Sequence, residues 1–185
     1  SLVFAALMVR LGDADGTLGG AVYTTADTVR TALQMIGKAK TSKIVSSFFL
    51  MVLPNGREGK EEVVVFSDCG LVVEPDAEQL AGIAVASAGS FAALTDQEPL
   101  VGMLSFSTKG SSQHPAARKI MEAFELTRTR APSLVIDGEL QFDAAYHAPV
   151  GQRKAPGSTV AGQANVMIFP NLDAGNIGYK ITQRI

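Results

Sequence analysis

The stretch GQANVMIFPNLDAGNIGYKITQR, residues 162–184, decides how this chain folds. Residues 165–170 are a short apolar run closed by Pro170, the pattern of a buried strand. Asn171, Leu172, Asp173, Ala174 and Gly175 then read as a polar, small-residue turn. Residues 176–184 have helical spacing, with Ile177 and Ile181 on one face. Strand, tight turn and helix together put free N–H groups and a helix N-terminus at the carboxyl end of a strand. Anionic ligands bind at such places in open α/β sheets. An ordinary strand–helix joint has the same pattern, so this stretch alone leaves both readings open.

Working outward, strands are expected at residues 44–53, 63–67, 100–106 and 133–136. Pro54, Asn55 and Gly56 signal a turn between the first two, which makes them antiparallel neighbours. Asp76 caps a long helix over 77–94, with Leu80, Ile83, Ala84, Ala88 and Phe91 on its core face. Further helices are expected over 116–127 and 139–146, and residues 147–162 read as an exposed loop. After Lys43 the order is β, β, α, β, α, β, α, β, α. That calls for a three-layer α/β domain whose mostly parallel sheet contains an antiparallel pair. Before it, residues 2–11 read as a helix closed by Gly12, and residues 17–22 as a strand end. Residues 26–36 read as a helix capped by Thr25. The short basic stretch 38–43 is the candidate hinge or boundary, which divides the chain into 1–42 and 43–185.

Composition narrows the function. The chain has 185 residues and a formal net charge of −2, with no basic run, so nucleic-acid binding lacks electrostatic support. No apolar stretch reaches the roughly 18 residues a membrane span needs, so no membrane partner is expected. A single cysteine, Cys69, excludes an internal disulfide and suits a reducing compartment. Cys69 has no histidine nearby and reads as a plain, half-buried cysteine rather than a nucleophile. No second ligand stands at metal spacing from His114, so no metal is expected.

Three polar clusters carry candidate chemistry. Ser107, Thr108, Lys109, Gly110, Ser111 and Ser112 follow a strand directly. Their hydroxyls and lysine resemble a phosphate cradle, although the GxxxxGK[ST] frame is absent. Asp137 and Glu139 are paired acids in what reads as a strand-end turn leading into a helix, where acids are favoured for structural reasons. Arg30 sits in the helix that follows Thr24 and Thr25, either as a solvated surface arginine or as an anion contact.

Taken together, GDADGTLGGAVYTTADTVRTALQMIG (residues 12–37), MLSFSTKGSS (residues 103–112) and IDGELQFDAA with the 162–184 stretch resemble the phosphate acetyltransferase family and its phosphate butyryltransferase relatives. The resemblance runs through nearly the whole chain, in order. It implies reversible transfer of an acetyl group between acetyl phosphate and coenzyme A, with inorganic phosphate as co-product. It also implies two α/β domains of the isocitrate/isopropylmalate dehydrogenase type with the active site between them. A homodimer, a cytoplasmic setting and no metal or other cofactor are further implications. In the family the CoA thiolate attacks the acetyl carbonyl, a base takes the thiol proton, and arginine and hydroxyl donors hold the phosphate.

Residue by residue, the resemblance puts Arg30 at a phosphate- or CoA-binding arginine, with Thr24 and Thr25 beside it. It puts Ser107, Thr108 and Lys109 in the family's STKGS loop. It puts Asn171, Asp173, Gly175 and Asn176 in its NLDAGN turn. The family's transition-state serine, arginine and proposed aspartate base belong to a Ser-Arg-Gly segment that residues 1–185 do not contain. The chain is therefore expected to be a middle portion of such an enzyme, inactive alone. The alternative is a non-catalytic, acetyl-CoA-sensing domain like those fused to malic enzymes.

Overall fold

The structure is a computed structural model and describes residues 1–40 and 42–185. It divides into two compact units, Ser1–Lys43 and Ile44–Ile185. The candidate hinge at 38–43 includes Thr41, which lies outside the described residues.

In the first unit, helix α1 spans Leu2–Leu11 and ends in Gly12 at φ +81°, a left-handed cap that glycine adopts without strain. Helix α2 spans Thr25–Met35. Its cap is Thr24 rather than Thr25, because the Thr24 hydroxyl is the one that accepts from the Asp27 N–H. Residues 17–22 form no strand. Ala6 is the one buried apolar residue among those described in this unit, while Phe4, Leu11, Leu18 and Val22 are exposed.

The second unit contains a five-stranded mixed sheet. Strands β1 (Phe48–Leu53) and β2 (Glu62–Ser67) are antiparallel, with Leu50 opposite Val65. Strands β3 (Leu100–Leu104), β4 (Val135–Leu140) and β5 (Val166–Ile168) run parallel to β2. The spatial order is β1-β2-β5-β3-β4, so the last strand in sequence is the middle strand of the sheet.

Alternate residues serve two cores, as the strand pleat dictates. Val65, Val101, Met103, Val166 and Ile168 meet helices α3 (Ala77–Thr95) and α4 (Pro115–Arg130) on one face. Val64, Phe66, Leu104, Leu140 and Met167 form the core of the other face. Ala145 of α5 (Phe142–Tyr146), Ala155 at the end of α6 (Ala148–Lys154) and Ala174 of α7 (Leu172–Arg184) pack there. Helices on both faces of a mixed sheet make this a three-layer α/β unit.

Helix α3 begins at a capping box in which Asp76 and Gln79 satisfy each other's backbone N–H groups. It is 19 residues long and apolar enough, by length and composition, to cross a bilayer, which corrects the expectation that no stretch qualifies. Its Leu80, Ile83, Ala84, Ala88 and Phe91 are buried in the α3/α4 core, as in the central helix of a packed domain.

Three further expectations change. The 147–162 stretch contains α6, and Gly151, Ala155 and Val160 are buried there. Gly151 permits the packing, since a Cβ would lie 2.6 Å from the Gly162 nitrogen. Asp137 and Glu139 lie inside β4, not in a turn after it. The NLDAG stretch is not a turn but the cap and first turn of α7. Asn171 caps the helix by accepting from the Ala174 N–H at 3.0 Å.

Candidate functional site

The chain leaves β3 into α4 on one face of the sheet and leaves the adjacent strand β5 into α7 on the other. Neighbouring strands whose connections diverge in this way open a crevice at their carboxyl ends, the preferred ligand position in open α/β sheets. The loop at residues 105–112 and the Asn171 cap follow the carboxyl ends of these two strands.

The 105–112 loop is tied down throughout. The Ser107 hydroxyl donates to Glu139 Oε1 at 2.6 Å and lies 2.9 Å from the Ser111 hydroxyl. Thr108 Oγ1 donates to Gln141 Oε1 at 3.3 Å and accepts from the Gln141 N–H at 2.9 Å. The Lys109 ammonium is ion-paired with Asp137, whose other oxygen accepts from the Ser158 hydroxyl. Every backbone N–H from residue 107 to residue 112 is also spent inside this network. The acceptors, in order, are Ser105 Oγ, Ser111 Oγ, the Glu139 carbonyl, Glu139 Oε1, the Thr108 carbonyl and Ser107 Oγ. A phosphate cradle needs free N–H groups. This loop offers none over 107–112, so the likeness to a cradle is one of composition rather than geometry.

Glu139 reaches the loop because β4 carries a bulge. Met103 pairs with Gly138 and Leu104 with Leu140, so Glu139 is the extra residue. Its side chain is 1% exposed.

At the next strand ends, Asp68 follows β2. Its carboxylate accepts from Ser47 N at 2.9 Å, Ser47 Oγ at 2.6 Å, Gly70 N at 2.7 Å and Leu71 N at 3.0 Å. Helix α7 comes close enough that a Cβ at Gly175 would lie 2.4 Å from the Asp68 carbonyl oxygen. Asn176 Nδ2 donates to the Cys69 carbonyl at 3.1 Å, and Asp173 is exposed on the first turn of α7. Cys69 is completely buried rather than half-buried. Burial, with the Asp68 charge adding to it, pushes its thiol up to about 12, so it stays protonated at neutral pH and is no nucleophile.

In the first unit, Thr24 and Thr25 are exposed at the start of α2. Arg30 pairs with Asp27 at 3.1 Å while its side chain remains 64% exposed. So loose a pair yields readily to a stronger anion. Of the residues singled out from the sequence, Ser107, Thr108 and Lys109 share one loop. Asn171, Asp173 and Asn176 share the neighbouring β5–α7 junction at the same sheet edge. Thr24, Thr25 and Arg30 belong to the other unit. Reading the sequence did not find the anchoring roles of Glu139, Asp137, Gln141 and Asp68. The one signal was acid–Gly–acid spacing at a strand's carboxyl end. Among the described residues, no group of three or more His, Cys, Asp or Glu is arranged to hold a metal ion.

Comparison with known proteins assigns the chain to a family. The phosphate acetyltransferase of Paracoccus denitrificans is 54% identical over 181 residues, 98% of this chain and 57% of that protein. The phosphate acetyltransferase of Acetivibrio thermocellus is 50% identical over 184 residues, 100% of this chain and 55% of that protein. Among solved structures, the EutD phosphotransacetylase from Staphylococcus aureus superposes with a TM-score of 0.88 at 44% identity. That match covers 99% of this chain and 55% of the other. The chain thus spans little more than half the length of these relatives. The family model described as "Phosphate acetyl/butaryl transferase" matches residues 1–185 throughout, and the chain belongs to that family.

Proposed function

We propose that the protein containing this chain is a phosphate acetyltransferase, exchanging an acetyl group between acetyl phosphate and coenzyme A. The observation that carries the reading is the match of all 185 residues to the family, with about half of them identical in phosphate acetyltransferases. In the forward step the CoA sulfur bonds to the acetyl carbonyl carbon. The bond from that carbon to the phosphate oxygen breaks, inorganic phosphate leaves, and the thiol proton passes to a base. The residues of this chain bind and position. Arg30 holds a phosphate by charge-assisted hydrogen bonds, with Thr24 and Thr25 as neighbouring donors. Ser107, Thr108 and Lys109 shape the rim at the carboxyl edge of the sheet, and Asn171, Asp173 and Asn176 shape the adjacent helix start. The serine, arginine and base of the reaction belong to the Ser-Arg-Gly segment, which residues 1–185 do not contain.

The same reading takes Ile44–Ile185 as the second domain of an isocitrate/isopropylmalate dehydrogenase-type architecture and Ser1–Lys43 as a strip of the first. It carries with it a cytoplasmic homodimer without metal or other cofactor, and without nucleic-acid or membrane partners. The test is a CoA-plus-acetyl-phosphate assay on the 185-residue chain beside the protein extended to the length of its relatives. Turnover by the extended protein alone is expected. An extended protein that binds acetyl-CoA without turnover would replace this reading with a regulatory one. Arg30→Ala in the extended protein is expected to raise the Michaelis constant for acetyl phosphate or CoA about ten- to a hundredfold, the equivalent of roughly 1.5–3 kcal/mol for a guanidinium–phosphate contact. Unchanged constants would remove Arg30 from the site.

A further inference from the structure

We propose that Glu139 is a positioning residue for acetyl transfer, acting through the 105–112 loop; this rests on the phosphate acetyltransferase reading above. Three observations meet at this side chain. First, the β4 bulge takes Glu139 out of strand register, and bulges beside sites re-aim side chains in this way. Second, its carboxyl group is buried, and its hydrogen-bond partners among the described residues are the Ser107 hydroxyl at 2.6 Å and the Gly110 N–H at 3.0 Å. The one lysine in the loop is turned to Asp137 instead. Both partners are donors from the loop, so one buried carboxyl group ties two separate points of it through hydrogen bonds that burial shields from water.

Third, the loop needs holding. Lys109 sits at φ +50° and Gly110 at φ +80°, two successive left-handed residues. A non-glycine residue keeps that conformation only where its surroundings over-determine it. The turn points the Gly110 N–H at the Glu139 carboxylate, and the Glu139 carbonyl accepts from the Lys109 N–H at 3.1 Å. Glu139 therefore grips the loop by side chain and backbone on both sides of the strained residue. The loop spends its own N–H groups internally, so its contribution to the reaction is the shape it presents beside the carboxyl ends of β3 and β5. Glu139 fixes that shape before substrate arrives.

The test uses the full-length protein and reads kcat, both Michaelis constants and the folded fraction of each variant. Glu139→Ala is expected to lower kcat per folded molecule about a hundredfold, the scale of a 1 Å misplacement. Ser107→Ala is expected to lower it about tenfold. Glu139→Gln keeps an acceptor oxygen for both donors and is expected to restore kcat to within about fivefold of wild type, which distinguishes loop positioning from charge. Glu62→Gln, at the opposite end of the sheet, is the control and leaves kcat unchanged. Wild-type kcat per folded molecule in Glu139→Ala overturns the proposal. If that variant does not fold, wild-type kcat in Ser107→Ala overturns it. A wild-type protein without turnover refutes the functional reading itself, and the role of Glu139 falls with it.

Discussion

Two partly or wholly buried glutamates stand at opposite ends of the same sheet, and they are solved differently. Glu62 opens β2 at the amino end and faces a cation. Arg57 donates to it by side chain and by backbone N–H and stacks over the Tyr146 ring, while the Tyr146 hydroxyl donates to Glu62 Oε2 at 3.0 Å. Glu139 lies in β4 near the carboxyl end and, among the described residues, is held by a hydroxyl and a backbone N–H. Burial alone would raise the Glu62 carboxyl, but the Arg57 and Tyr146 hydrogen bonds outweigh it and hold the group below its ordinary value. Burial and the bond to Glu62 in turn push the Tyr146 hydroxyl up. The amino end is thus built for stability, and the carboxyl end for holding irregular backbone in place. Loops at the carboxyl ends of strands carry function in α/β proteins for this reason, since a rigid sheet supports them.

The comparison is sharpened first at the most crowded point of the carboxyl edge. Gly175→Val forces a side chain onto the Asp68 carbonyl and onto the Cys69 sulfur, 2.9 Å from an added Cβ. It is expected to cost about 3 kcal/mol or more in stability, read by denaturant unfolding. A neutral result would mean that α7 is free to shift. Next, Glu62→Ala strands Arg57 and the Tyr146 hydroxyl and is expected to cost about 2 kcal/mol while leaving catalytic constants intact. Loss of activity in a folded Glu62→Ala protein would break the division of labour between the two ends.

Asn171→Ala removes the α7 cap and is expected to cost about 1 kcal/mol. The smallest effect is in acid. Because the folded Glu62 carboxyl is held below its unfolded value near 4.5, its contribution is complete above that pH and disappears as the pH falls through the folded value. Glu62→Gln is expected to flatten that part of the stability–pH curve. An unchanged slope below pH 4.5 would assign the acid sensitivity to other groups.

The elements with plain periodicity were legible in the sequence. The α3 core face, the Asp76 cap, the antiparallel pair around Pro54-Asn55-Gly56 and the apolar strands all stand near where the pattern places them. The misreadings share a cause, which is polar residues doing interior work. Asp137, Gly138 and Glu139 look like a turn by composition. They continue a strand because the Lys109 ammonium and the Ser158 hydroxyl satisfy Asp137, and the Ser107 hydroxyl and the Gly110 N–H satisfy Glu139. Residues 148–154 look like a loop because of their Gly, Pro, Lys and Arg, yet Gly151 is the close contact that packs the helix. Asn171 likewise looks like a turn residue by composition, yet its side chain accepts from the Ala174 N–H and starts α7. The loop at 107–112 was located correctly by its hydroxyls. Its inward-turned N–H groups were invisible, because they depend on partners near residue 139 that local pattern does not bring together.

The place of β5 in the sheet governs how the second unit can be made. Strands β2 and β3 are not neighbours; each pairs with β5, and the β2 partner of Val166 lies about a hundred residues upstream. During synthesis the apolar face of α3 therefore waits, part-covered, until the chain has passed Ile168. The sheet closes at its middle, when its last strand enters between the two pairs already made. A chain stopped before Val166 has two half-sheets and no seam to join them.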